Sequence, residues 1–213
     1  MIDIYKMSTT EENIKFTIDH LKQMEPHPER DVYIKQTLDR FFGMRAAISA
    51  LALHMKPRVY LNVGVGKGYC MSLVAHRCPT VSIHGFDAWI GEWAPVAGDA
   101  TKSIEYVTNE IAKHPFCGKL QFHTGKTNST LSKFFAYRDT RRYHLIDVDA
   151  EHTVQAKLKD WTICAKYLAP GGYMLVYGME IAYAVWEILQ HTYPNYEYKV
   201  IDRLGIVHNP ERK

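Results

Sequence analysis

The sequence lacks paired cysteines, long apolar runs and a marked excess of either charge. Its cysteines at 70, 78, 117 and 164 form no CxxC pair and no zinc-ligand spacing, which argues against a disulfide framework. A net charge of +3 is too small to indicate the concentrated basic face of a nucleic-acid-binding protein. No segment approaches membrane-spanning length, and the opening MIDIYKMSTTEEN has no apolar signal segment. We therefore expect a cytoplasmic protein that acts on neither nucleic acid nor a membrane.

The 213 residues suffice for one domain with a modest helical appendage. Residues 1–56 predict two helices, over 9–24 and from Asp31 to about Met55, separated by the prolines of EPHPER. From residue 57 onward, strand and helix patterns alternate. The predicted strands are RVYLNVGVG, TVSIHGFD, KLQFHTG, RYHLIDVD, YMLVYG, YEYKVI and LGIVH. The predicted helices are GYCMSLVAHRC, 101–113, HTVQAKLKDWTICAKYL (ended by APGG) and about 181–191.

This alternation is typical of βαβ units, so we predict an α/β, doubly wound and mostly parallel sheet over 57–213. Only Asp202 and Arg203 separate the last two strands. Parallel neighbours need a longer crossover, so this final pair must be antiparallel.

Three glycines, Gly64, Gly66 and Gly68, lie between the first predicted strand and its helix. Glycine there allows a tight turn and a close approach of ligand to backbone, although a turn without ligand has the same appearance. Asp87 ends the next strand about 20 residues further on, where a carboxylate can accept hydrogen bonds from ribose hydroxyls. Together these features favour an adenosine-containing cofactor.

The glycine spacing is G-x-G-x-G, and Tyr69 stands where the dinucleotide pattern G-x-G-x-x-G needs its third glycine. The ordered blocks YLNVGVGKG, HGFDAW, YHLIDVDAEHT and YLAPGGYMLVYG resemble class I S-adenosylmethionine-dependent methyltransferases. More narrowly, the chain is similar to the small-molecule O-methyltransferase-like branch with a D-[GA]-[DE]-H motif after the fourth strand. The resemblance extends from about residue 58 to 208.

The resemblance implies a Rossmann-like sheet of seven strands, the seventh antiparallel, with S-adenosylmethionine at its carboxyl edge. It places the three glycines beside the methionine part of the cofactor and Asp87 beside its ribose. Asn62 stands where the family usually has an acid, so it can hydrogen-bond the methionine ammonium but supplies no charge. It also places Thr124, Gly125 and Lys126 near the adenine. Asp147, inside the fourth predicted strand, is a further candidate for cofactor binding, although a partnered polar residue near the cofactor or the sheet is the favoured interpretation.

Two tryptophans, Trp89 and Trp93, follow the ribose acid. Their faces can stack on adenine or stabilise a sulfonium cation, and packing in a core or lid is the competing interpretation. Trp89 is the better ligand candidate because it adjoins Asp87.

The segment IDVDAEHT brings Asp149, Glu151 and His152 to the end of the fourth predicted strand. A hydroxyl or protonated amine acceptor must lose a proton, and we predict His152 as the base, oriented by Glu151 or Asp149. The alternative is that His152 only caps the helix that begins at Thr153.

Some relatives use a divalent metal, and the resemblance maps one of their ligands onto Asp149. Tyr177 and Gly178 stand where the other ligands are expected, with Glu180 slightly beyond. One carboxylate and a tyrosine suit magnesium poorly, so we predict no metal.

The sequence therefore predicts a methyltransferase for a small-molecule acceptor, at oxygen with nitrogen as the second option. The N-terminal helices would cover the acceptor pocket or form a dimer interface. The alternatives are an NAD(P)-dependent oxidoreductase and a non-catalytic binding protein that keeps the fold, which Asn62 and the missing fifth-strand acid would support.

Overall fold

The N-terminal segment folds into four helices in a computed structural model that describes residues 1–89, 103–137 and 141–211. These helices are α1 (Ile4–Ser8), α2 (Glu11–Gln23), α3 (Pro28–Leu38) and α4 (Met44–Met55). The prediction of a helix over 9–24 is confirmed by α2, whose first turn is capped by the Thr10 side chain.

The prediction of one helix from Asp31 to Met55 is wrong. The chain breaks between α3 and α4, where Arg40 adopts a left-handed conformation (φ 55°) and Gly43 precedes the first turn of α4. Helix α3 also begins earlier, at Pro28 inside EPHPER, because proline is tolerated in the first turn of a helix.

The described residues form one seven-stranded sheet in the order β3-β2-β1-β4-β5-β7-β6. Its strands are β1 (Val59–Val63), β2 (Ser82–Asp87), β3 (Leu120–Thr124), β4 (Tyr143–Val148), β5 (Leu168–Tyr177), β6 (Glu197–Ile201) and β7 (Leu204–His208). Strands β1 to β5 pair in parallel, whereas β7 is antiparallel to both β5 and β6. This confirms the predicted Rossmann-like, doubly wound fold with its antiparallel last strand. Strand β5 is longer than predicted, since it already contains APGG and pairs with β4 across a register shift.

In the described ranges after residue 57, five further helices connect the strands: α5 (Tyr69–Arg77), α6 (Ile104–Ala112), α7 (Thr127–Tyr137), α8 (Val154–Lys166) and α9 (Met179–Thr192). Helix α7 was not predicted. No helix among the described residues is long and apolar enough to cross a membrane.

The helices cover the sheet in two layers. One core joins α1, α4, α5 and α6 to the face on which Tyr60 lies, and the other joins α7, α8 and α9 to the face of Leu61. Helix α4 contributes Ile48 and Leu51 to the first of these cores, so the N-terminal segment packs directly on the sheet. The carboxyl ends of β1, β2 and β4 are left to form a common edge, where ligands bind in folds of this type.

Candidate functional site

The predicted glycine loop connects β1 to α5, and all three of its glycines have positive φ angles. A Cβ atom on Gly64 would overlap the carbonyl oxygen of Asp149 and lie 2.8 Å from the Cα of Ala150, so only glycine lets β1 and β4 end this close together. At Gly66, by contrast, no atom of the described residues, its two chain neighbours aside, lies within 4 Å of the place where a Cβ would stand. The backbone at Gly66 is therefore uncovered, and a ligand can approach it directly.

Asp87 ties this loop to the end of β2. One oxygen of its carboxylate, Oδ2, accepts a hydrogen bond from the amide of Gly66 at 2.9 Å, and Oδ1 accepts one from the amide of Trp89 at 2.8 Å. Each oxygen has a second lone pair that can still accept from a ligand. The acid predicted for ribose binding thus also fixes the shape of the glycine loop, a contact that spacing along the chain does not reveal.

Asn62 and Asp147 meet in a buried polar network beneath the loop. The amide nitrogen of Asn62 donates to Asp147 Oδ1 and Oδ2 at 2.9 and 3.0 Å, and the Tyr60 hydroxyl donates to Oδ1 at 2.6 Å. Burial raises the pKa of the Asp147 carboxyl to about 7. Asp147 is thus a partnered residue of the sheet, whereas the Asn62 Oδ1 atom is buried with no hydrogen-bond partner among the described residues.

The predicted adenine-side residues surround Asp87. Thr124 is its register partner across β2 and β3, and the amide of Gly125 donates to the Asp87 carbonyl at 2.9 Å. Lys126, directly after them, is exposed. The Trp89 ring packs edge-on to Phe122, and its Nε1 is buried with no partner in the described part of the chain. Trp93 lies outside the described residues.

Beyond β4, Asp149 is half-buried while Glu151 and His152 are exposed. The amide of Asp149 donates to the Val63 carbonyl at 2.8 Å, which places the residue beside the glycine loop. Thr153 caps α8, since its side chain accepts from the amide of Ala156. The alternative that His152 serves as the helix cap is therefore wrong.

Two basic side chains that the sequence interpretation missed flank Asp149. Lys157, in the first turns of α8, is buried and interacts electrostatically with Asp149 and Glu180; its Nζ donates to the carbonyl of Tyr177 at 2.8 Å. Burial lowers the pKa of this lysine. Lys157 lies three residues after Val154 and four before Trp161, so it belongs to the apolar stripe of the helix. A lysine in that stripe is the sequence signal that could have identified it.

Arg45 approaches Asp149 from α4. Its guanidinium carbon lies 3.7 Å from the centre of the Tyr33 ring, and it interacts electrostatically with Asp149. The Tyr33 hydroxyl in turn donates to Glu29 at 2.6 Å. A single arginine inside the apolar helix MRAAISALALHM is the corresponding sequence signal.

Comparison with known proteins agrees with this geometry. A family model described as a methyltransferase domain matches residues 61–176, which extend from Leu61 in β1 through the glycine loop to Val176 in β5. No curated protein matches the chain by sequence.

Solved structures share the fold at low sequence identity. The O-methyltransferase NovP superposes with a TM-score of 0.61 at 16% identity, over 95% of this chain and 98% of that one. An O-methyltransferase from Bacillus cereus in complex with SAH superposes with a TM-score of 0.57 at 10% identity, over 93% of this chain and 90% of that one. An O-methyltransferase family protein from Burkholderia thailandensis superposes with a TM-score of 0.58 at 13% identity. The match covers 88% of this chain but only 62% of that longer one.

Proposed function

The chain belongs to the methyltransferase-domain family, and on this premise we propose that it transfers a methyl group from S-adenosylmethionine to an oxygen of a small-molecule acceptor. The observation that carries the proposal is the uncovered backbone of Gly66, held in place by the carboxylate of Asp87. An NAD(P)-dependent reaction is disfavoured because Tyr69 replaces the third glycine of that fingerprint.

The residues of the loop fit this cofactor. The buried Oδ1 of Asn62 offers an acceptor for the methionine ammonium, and Asp87 can accept from ribose hydroxyls with its remaining lone pairs. Trp89, Thr124, Gly125 and Lys126 would border the adenine. When bound, the cofactor supplies an electrophilic methyl group; the chain has to align the acceptor with it, and alignment can provide much of the acceleration.

We assign proton removal from the acceptor to His152. Its imidazole lies on the exposed segment that leaves β4, so it can reach an acceptor above the loop. Asp149 and Glu151 are the acids available to orient it. This set corresponds to the D-[GA]-[DE]-H motif of the small-molecule O-methyltransferase-like branch, where the chain reads DAEH.

We further propose that the reaction needs no divalent metal. At the ends of β4 and β5 the carboxylate in position is Asp149, with Glu180 slightly beyond, and the ammonium of Lys157 already lies against the Tyr177 carbonyl. A Cβ on Gly178 would stand 2.7 Å from the same Nζ, so Lys157 fills the space in which a side-chain ligand at 178 would begin. The positive charge of Lys157 repels a divalent metal ion, and it gives Asp149 a counter-ion in the absence of such a metal.

We assign residues 57–213 to cofactor binding and residues 1–56 to an extension that covers the acceptor pocket. Support comes from contacts across the glycine loop: Lys67 of the loop meets His27 at the start of α3, and Tyr69 packs edge-on against Tyr33 at 5.4 Å. The alternative role of residues 1–56 is to form a homodimer interface.

The test is an assay of S-adenosylhomocysteine release from purified protein, S-adenosylmethionine and a panel of small hydroxylated acceptors. We expect acceptor-dependent release that a chelator leaves unchanged. Lys157→Gln should lower turnover, whereas Lys159→Gln, at an exposed position of the same helix, should not. Loss of activity with the chelator and recovery with magnesium would contradict the metal-independent mechanism.

A further inference from the structure

Three histidines converge where α2, the C-terminal end of α5 and the residue pair after α6 meet. His20 belongs to α2, His76 to the last turn of α5, and His114 follows α6. One ring nitrogen of each lies within 4.8 Å of the corresponding nitrogens of the other two. His76 and Gly68 are at opposite ends of α5, about 12 Å apart at a rise of about 1.5 Å per residue.

The three rings pack against one another inside this cluster. His114 stacks on His76 with ring centres 4.2 Å apart and on His20 at 4.5 Å, and Nδ1 of His20 lies 3.0 Å from Nδ1 of His76. His20 and His114 are buried and His76 is half-buried, so the cluster has one side open to solvent.

Two ring nitrogens of the cluster are left unsatisfied. Nε2 of His20 and Nε2 of His114 are buried without a hydrogen-bond partner among the described residues. Buried polar atoms are nearly always paired in proteins, because leaving one unpaired costs the protein stability. Two such atoms in one histidine cluster point to a ligand that uses them.

The electrostatics of the cluster suit a ligand that binds neutral imidazole. Burial lowers the pKa of His20 to about 3 and that of His114 to about 4. The charge of Arg77 lowers the pKa of His20 further, and the charge of Lys113 lowers that of His114. Lys113 is paired with the Glu110 carboxylate at 2.7 Å, and Arg77 donates to Asn13 at 3.2 Å.

We propose that His20, His76 and His114 together bind one divalent ion of the late transition metals, with Zn²⁺ as the expected occupant. Imidazole nitrogens are characteristic zinc ligands, whereas magnesium and calcium require oxygen. Three protein ligands leave a fourth position of a tetrahedral ion to water, on the half-buried side formed by His76.

Binding requires the stacked rings to turn, because an ion lies in the plane of each imidazole that binds it. Zinc–nitrogen bonds of about 2.0–2.1 Å place tetrahedral ligand atoms about 3.4 Å apart, so the three nitrogens have to converge by at most about 1.4 Å. Rotation about the second side-chain torsion of histidine is soft enough to allow this. The bound ion would join α2 of the N-terminal segment to α5 and α6 of the sheet layer.

The test uses the full chain, freed of metal by dialysis against a chelator and titrated with Zn²⁺ in competition with a chromophoric chelator. We expect one equivalent to bind and the melting temperature to rise with Zn²⁺. His76→Gln removes the most exposed ligand and should weaken binding by more than about tenfold. His54→Gln, at an exposed position of α4, is the matched control and should bind as wild type does.

His114→Gln serves as a second variant, and circular dichroism checks that each variant is folded. Wild-type affinity in folded His76→Gln and His114→Gln would overturn the proposal, as would a wild-type protein that does not compete for Zn²⁺. The titration involves neither S-adenosylmethionine nor an acceptor, so its outcome is independent of the proposed methyl transfer.

Discussion

Substitution by alanine should affect two glycines of the same loop differently: at Gly66 it should weaken cofactor binding, and at Gly64 it should destabilise the fold. Gly66→Ala adds a methyl group at a φ of 54°, where no atom in the described part of the chain, the adjacent residues aside, lies within 4 Å. The folding cost is then that of one left-handed non-glycine residue, about 1–2 kcal/mol. The methyl group would, however, stand in the space assigned to the cofactor, so we expect S-adenosylmethionine affinity to fall more than about tenfold, or about 1.4 kcal/mol.

Gly64→Ala is the matched comparison. Its Cβ would lie 2.5 Å from the carbonyl carbon of Asp149 and 2.8 Å from the Cα of Ala150, both backbone atoms that cannot rotate away. Separating the ends of β1 and β4 should cost more than about 4 kcal/mol, at the extreme of single substitutions. Urea denaturation measures both stabilities, and calorimetry measures affinity for folded Gly66→Ala. Wild-type affinity in that variant would refute the position assigned to the cofactor.

Three further substitutions test the rest of the site. Asp87→Asn should weaken S-adenosylmethionine binding and destabilise the loop by about 1.5–3 kcal/mol, because Asp87 forms charge-assisted bonds with Gly66 and Trp89; unchanged affinity would remove it from the ribose role. The wild-type protein should lose up to about 4 kcal/mol of its free energy of unfolding as pH rises from 3.8 through about 7, because the Asp147 carboxyl ionises over that range in the unfolded chain but keeps its proton in the folded one. Asp147→Asn should remove this pH dependence. The same pH dependence of urea denaturation in both proteins would contradict this. His152→Gln should lower turnover while leaving cofactor affinity intact, and full activity would exclude it as the base.

The sheet could be predicted because its signals are local. Alternation of apolar residues and the two-residue connection at Asp202 and Arg203 fixed the strands and the direction of the last pair. The N-terminal helices were harder. The break at Arg40 depends on a left-handed conformation that a non-glycine residue adopts in its tertiary setting, and apolar periodicity continues across it.

Only the parts of the candidate site that lie close together in the sequence could be predicted. The glycine loop and Asp87 follow from spacing within one βαβ unit, and the structure brings them into contact. Lys157 and Arg45 act on Asp149 from separate helices, and the histidine cluster combines residues of α2 and α5 with one that follows α6. These meetings depend on how the helices pack, which no spacing in the sequence encodes.

The central claim is that the glycine loop holds S-adenosylmethionine. The most direct measurement is calorimetric titration of the purified protein with S-adenosylmethionine, with S-adenosylhomocysteine and, as the control ligand, with NAD. We predict micromolar binding of the first two, at one site per chain, and no heat with NAD. Binding of NAD alone, or of none of the three, would contradict the assignment of the loop.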